Sequence, residues 1–172
     1  MAIIKKGQII AEEKEANSLL QSGFGRRAGE EVLLYPLEAA YLQELSLLQI
    51  TISGKQAKQK DILSLLKPKK LESKLPSAQE QFEIYSVLRG AGRLVRFSPH
   101  SPHYWRVYAR GIGREQERAQ ILIRLVCADW KTSLSSLELE LCVARQLRME
   151  LVFAFIQKGN VQFVKMSKFS LD

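Results

Sequence analysis

A chain of 172 residues, 46% apolar and 26% charged, can bury a real core and make either one domain or two small ones. No apolar run approaches the roughly 20 residues of a membrane-spanning helix, and Met1-Ala2-Ile3-Ile4-Lys5-Lys6 lacks the charged-then-apolar order of a secretion signal, so the expected compartment is the cytoplasm. The formal charge of +8 and isoelectric point near 9.6 suit a polyanionic partner, because neutralising phosphates releases counterions, but they equally suit a solvated basic face.

In chain order, Ile3-Ile4 and Gln8-Ile9-Ile10 flank the turn-like Lys5-Lys6-Gly7 and predict two short strands. Glu12 to Leu20 follows as a helix that stops at Gly23, and Gly25 and Gly29 predict a loop. Val32-Leu33-Leu34 is a short strand. Pro36 fits a first helical turn, with Leu37, Ala40, Tyr41, Leu45 and Leu48 recurring on one face. Ile50-Thr51-Ile52 alternates as a strand before a turn at Ser53-Gly54, and Asp61 can cap a small helix through Leu66.

The composition then changes to Lys-Pro-Lys-Lys-Leu-Glu-Ser-Lys-Leu-Pro, two prolines bracketing a charged run. That is the composition of a linker over 68–76, which divides an N-terminal α/β domain (1–67) from a C-terminal domain (77–172). Lys69, Lys70 and Lys74 either keep this hinge soluble or follow phosphate.

Ser77-Ala78-Gln79-Glu80 opens the second half as a capping box, and Phe82, Tyr85 and Leu88 share the face of the helix that follows, up to Gly90 and Gly92. Arg93 to Phe97, Tyr104 to Tyr108 and Ile121 to Cys127 read as strands. Ser135 with Glu138 predicts a second capping box, for a helix carrying Leu137, Leu141, Ala144 and Leu147. Leu151 to Ile156 is apolar enough to be buried on both faces, and Val161 to Met166 follows the turn at Gly159-Asn160. Helix, three strands, helix, two strands predicts a mixed sheet flanked by helices, hence an α/β or α+β fold. Cys127 and Cys142 sit in apolar stretches with no second pair, so buried, reduced thiols are expected rather than a zinc site.

At this point the residues carry a resemblance. Gly23-Phe24-Gly25, Leu33-Leu34 and Glu38-Ala39-Ala40-Tyr41-Leu42 resemble the glycine-aromatic-glycine segment and Glu-Ala-x-Tyr-Leu helix of the archaeal tRNA-splicing endonuclease family. Tyr85-x-x-Leu88-Arg89 with Gly92 and Val95-Arg96 is similar to its helix-to-strand entry. Trp105-Arg106-Val107-Tyr108-x-Arg110-Gly111 resembles its catalytic-tyrosine strand, and Val143-Ala144 and Leu151-Val152-x-Ala154 its later helix and strand. The order and spacing of these pieces, more than any one of them, carry the likeness, which implies a nuclease-like second domain.

The resemblance implies cofactor-free, metal-free cleavage of precursor tRNA to 2′,3′-cyclic phosphate and 5′-hydroxyl ends. In it a tyrosine deprotonates the 2′-hydroxyl, a histidine protonates the leaving 5′-oxygen, and a lysine stabilises the charged phosphorane. This sequence keeps the tyrosine position as Tyr108, but the histidine position falls at about Arg118 and the lysine position at Met149. The family's Gly-x-Lys-Phe-Gly loop is replaced by a segment holding His100 and His103, and its base-clamping arginines fall at Cys142 and about Lys168. A general acid is worth about 10² to 10⁴ in rate and an electrostatic donor about 10² to 10³, so losing both raises the barrier by roughly 5 to 9 kcal/mol. Arg118, with a pKa above about 12, is a poor proton donor, and Met149 carries no charge.

The expectation is therefore a catalytically inactive, structural subunit of an α2β2 enzyme, paired with a chain that retains the triad. The resemblance implies pairing through the last strands, here Val161, Phe163, Val164 and Met166, which either meet a partner or face their own core. It also implies an interface loop at Asp129 and Trp130, where the tryptophan either anchors a partner or caps its own core. Arg93, Arg96, Arg106, Arg110, Arg114 and Arg118 surround Tyr108 as candidate RNA contacts. Two other classes stay open: a metal-dependent nuclease built on Asp129 and Lys131 with Glu115 or Glu117, and a generic RNA-binding or scaffold module.

Overall fold

The computed structural model describes residues 1–66, 75–98, 101–110 and 119–168, the Arg110 side chain excepted. The chain divides into two compact units, Met1–Lys69 and Lys70–Asp172. Of the expected linker, residues 68–74 lie outside the described residues.

The first unit is built on a six-stranded sheet. Its strands are β1 (Ala2–Lys5), β2 (Gln8–Ala11), β3 (Arg26–Ala28), β4 (Glu31–Leu34), β5 (Ile50–Ile52) and β6 (Lys55–Gln56), in the order β3-β4-β2-β1-β5-β6. Within this sheet β1 and β5 run parallel and the other described pairs antiparallel. Helices α1 (Glu13–Gln21), α2 (Pro36–Glu44) and α3 (Gln59–Leu63) contribute Leu20, Leu37, Leu42 and Ile62 to a core that also takes Ile9, Val32 and Ile50 from the strands. Full burial of each of the larger apolar side chains stabilises by about 1.5 to 3 kcal/mol.

One polar group is built into this core. Glu38, only 3% exposed, accepts from the backbone N–H of Gly25 at 3.0 Å and of Tyr35 at 2.9 Å. The carboxylate thereby caps its own helix and ties the Gly25 turn to it. Gly25 has φ +66, and a Cβ there would sit 2.6 Å from Val32 Cγ1, so both backbone and space require glycine.

Several boundaries differ from the sequence reading. The expected loop between Gly25 and Gly29 holds β3, whose Arg26-Arg27-Ala28 is exposed throughout and joins the sheet by backbone pairing with β4. β6 was missed for the same reason: Ser53 (φ 50) and Gly54 (φ 78) turn the chain back into a pair of polar residues. α2 stops at Glu44, because Leu45 caps it and Ser46 turns to φ 58, leaving Leu45 and Leu47 exposed. Asp61 caps α3 from inside the helix, accepting from Lys58 N–H at 3.0 Å.

The second unit is a five-stranded mixed sheet, as the element order predicts. Its strands are β7 (Arg93–Phe97), β8 (Tyr104–Arg110), β9 (Ile121–Leu125), β10 (Glu150–Gln157) and β11 (Asn160–Met166), in the order β11-β10-β9-β8-β7. β9 and β10 are parallel and the other pairs antiparallel. Helix α4 (Ala78–Gly90) begins with the expected capping box, Glu80 N–H donating to Ser77 Oγ at 3.2 Å and Ser77 N–H to Glu80 Oε2 at 2.8 Å. It packs on one face of the sheet, where Tyr85 meets Phe97 and Trp105 at centroid distances of 5.6 and 6.3 Å.

Helix α5 (Leu134–Gln146) covers the other face through Ala144, Leu137, Leu141 and Leu147, over Leu122, Leu151 and Phe153. Its cap is Ser133, not Ser135: Ser136 N–H donates to Ser133 Oγ at 3.1 Å, while Glu138 pairs with Lys168. β10 is buried from Leu151 to Ala154, while Phe155 and Ile156, the end of the expected run, are only half-buried. Neither thiol is buried as expected: Cys142 is exposed, since α5 is apolar on both sides and buries only one, and Cys127, beyond the end of β9, is half-buried.

Candidate functional site

The pleat of β8 sorts its side chains. Trp105 and Val107 point into the core beneath α4, while Tyr104, Arg106 and Tyr108 stand on the α5 side. Register extends this second face across the sheet: Arg96 lies opposite Arg106 and Leu94 opposite Tyr108 on β7, and Leu122 opposite Arg106 and Arg124 opposite Tyr104 on β9. Arg106 is exposed and Arg96 and Tyr108 are half-buried. Arg93 lies opposite Arg110 across an irregularity in the ladder and is half-buried, its carbonyl accepting from Arg89 at 3.2 Å. Arg114 and Arg118 lie outside the described residues, as do Glu115, Glu117 and His100. His103 is placed in the turn before β8, where its carbonyl accepts from Leu125 N–H at 2.8 Å.

Met149 packs against the apolar cluster beneath α5. Its backbone is fixed by the close of that helix: Arg148 takes φ 54, and Met149 N–H donates to Ala144 O at 2.9 Å. The thioether therefore adds packing at the position where the family resemblance expects an ammonium group.

A charged group that the sequence reading did not single out lies on the same face. The Arg124 guanidinium sits 5.0 Å from the Tyr104 ring centroid and 5.9 Å from that of Trp130, and its Nε is 3.5 Å from Glu140 Oε1 of α5. Both charged side chains are mostly buried, a setting in which a cation over an aromatic face is worth up to about 2 kcal/mol. Burial pushes the Tyr104 phenol above its ordinary value; Arg124 opposes that shift, and the charge of Glu140 and its hydrogen bond to the phenol add to it. Arg124 is thus committed to Glu140 and the rings. The sign available in the sequence was a lone arginine within Ile121-Leu122-Ile123-Arg124-Leu125.

Trp130 lies on its own core, its ring 5.1 Å from Phe153, whereas Asp129 and Lys131 are exposed. Cys127 nearby has its thiol pushed up by burial and by the carboxylates of Asp129 and Glu80, which disfavours a reactive thiolate. Among the described residues no group of three or more His, Cys, Asp or Glu is placed to hold a metal ion, and no helix is long and apolar enough to cross a membrane.

β11 pairs with β10 and ends the sheet. Val161 and Phe163 fall on the α4 side and Val164 and Met166 on the α5 side. Met166 packs on the core, Val161 is half-buried, and Phe163 and Val164 remain 39% and 44% exposed. Cys142 is exposed on α5, and Lys168 reaches Glu138 at 2.8 Å.

Two comparisons bear on this architecture. Residues 2–63, most of the first unit, match the family model of the tRNA intron endonuclease N-terminal domain. Nearly the whole chain aligns with archaeal proteins named tRNA-splicing endonuclease. That of Pyrococcus horikoshii is 27% identical over 159 residues, and that of Pyrococcus furiosus 26% identical over 155; each alignment spans 89% of this chain and 86% of the relative. Both comparisons support the archaeal tRNA-splicing endonuclease family, the first unit by its family model and the chain as a whole by similarity to the two relatives.

Proposed function

We propose that this chain is the structural, catalytically silent subunit of a tRNA-splicing endonuclease that removes introns from precursor tRNA, with a triad-bearing chain as its partner in an α2β2 assembly. The observation that carries the reading is Met149, packed into the cluster under α5 where the family resemblance expects the phosphorane-stabilising lysine. A side chain without charge or proton leaves Tyr108 to act alone, and one phenol does not offset a barrier higher by roughly 5 to 9 kcal/mol. The partner supplies acid, base and ammonium; this chain supplies an edge strand and a basic face.

Two features support that division of labour. β11 ends its sheet with Phe163 and Val164 exposed, a surface that a soluble protein normally covers. Arg96 and Arg106 stand directly opposite each other beside Tyr108, a placement suited to the RNA backbone. The test is reconstitution. The chain alone leaves intron-containing precursor tRNA intact, addition of the catalytic homologue restores cutting, and Tyr108→Phe leaves the turnover of the complex nearly unchanged. Cleavage by the isolated chain in the presence of chelator, or strong loss of turnover in the Tyr108→Phe complex, would contradict the assignment.

A further inference from the structure

Helix α5 is apolar on the side that faces away from the sheet. Leu139 is 69% and Val143 49% exposed, and Cys142 is exposed between them. Residues turn by about 100° along a helix, so Ser135, Leu139, Cys142, Val143 and Gln146 form one stripe opposite the buried Ala144. The same rotation places Glu138 and Arg145, both exposed, on one flank of that stripe, two turns apart.

We infer that this stripe is a contact between two copies of the chain, packed antiparallel about a two-fold axis at the level of residues 141 and 142. Charge placement selects that occupant. A two-fold axis normal to the plane of the two helices keeps each flank on its own side and reverses its direction, so Glu138 of one copy meets Arg145 of the other, twice. Leu139 and Val143 then close over each other, and the Cys142 side chains lie near the axis. Glu138 already holds Lys168 through Oε1, and a carboxylate has lone pairs enough for a second cation. The helices are only about 20 Å long, so their contact buries less than the roughly 1,200 Å² of a stable interface. The contact is therefore weak alone and adds to whatever else holds two copies together. It does not rest on the subunit reading above.

The test uses the full chain carrying Cys127→Ser, without any partner, at a concentration on the order of 100 µM, treated with a short bismaleimide. The expected product is a covalent dimer of twice the chain mass joined through Cys142. Leu139→Glu lowers its yield about tenfold, and Glu138→Arg or Arg145→Glu alone lowers it several-fold. The two reversals together restore it, while circular dichroism verifies that each variant is folded. No dimer, a yield indifferent to Leu139→Glu, or failure of the double reversal to recover would overturn the arrangement. Phe163→Asp on β11 leaves the crosslink unchanged, which separates this contact from pairing through the edge strand.

Discussion

Replacing Glu38 tests whether one buried carboxylate holds the first unit together. Glu38→Ala leaves the Gly25 and Tyr35 N–H groups without the acceptor they share, and each orphaned buried donor costs about 1 to 3 kcal/mol. Adding the void left by the side chain, the expected loss is about 3 to 6 kcal/mol. A unit of some seventy residues holds only about 3 to 10 kcal/mol in all. With a urea dependence near 1 kcal/mol per molar for so small a unit, the midpoint falls by about 3 M or more. Both hydrogen bonds end on the same oxygen, Oε2, so Glu38→Gln can keep them with its amide oxygen and forfeits only the charge assistance, about 1 to 2 kcal/mol. Urea-dependent hydrogen exchange read on peptides from 1–66 measures both variants. A midpoint shift below about 0.5 M for Glu38→Ala, or equal shifts for the two substitutions, would refute the reasoning.

Gly25→Ala forces a Cβ to 2.6 Å from Val32 Cγ1 and 2.9 Å from Leu33 O at φ +66; the expected cost is about 2 to 4 kcal/mol, seen as a lowered thermal midpoint. Tyr104 titrates higher in the fold than its ordinary value of 10.0, so the native state holds its proton longer than the unfolded chain. The stability this provides is complete below about pH 10 and is lost as pH rises through the folded value. Denaturation midpoints across pH 9 to 11.5 should therefore fall less steeply in Tyr104→Phe than in the unaltered protein. Phe163→Asp places a charge on the exposed edge strand; it should abolish assembly with the catalytic homologue by native mass measurement while leaving the melting of the isolated chain nearly unchanged.

Much of this fold was legible because residue chemistry and period agree. Ser77 and Glu80 announce α4 through two reciprocal hydrogen bonds, and the run from Leu151 to Ala154 needs burial on both faces. What escaped is held by backbone or by distant partners. β3 is Arg26-Arg27-Ala28, with no apolar alternation to reveal it. In α5 the inward Leu137 and Leu141 interleave with the outward Leu139 and Val143, so period alone could not say which side faces the sheet or that Cys142 is exposed. Tyr108 and Arg106 were legible as one face, because alternation fixes it along a single strand, whereas Arg96 joins them only through the register of β7 on β8. The Arg124 and Glu140 pair was not, since nothing local joins residues 16 apart on a strand and a helix.

The sandwiching of the second sheet gives the molecule a built-in pair of optical reporters. Trp105 lies sealed among Tyr85 and Phe97 on the α4 side, whereas Trp130 lies against Phe153 beside the Arg124 cation on the α5 side. Their indoles therefore sense different layers, one dry and aromatic, the other charged and partly wet. Emission from variants that keep one indole each would distinguish loosening of one helix from loosening of the other, without any label being attached.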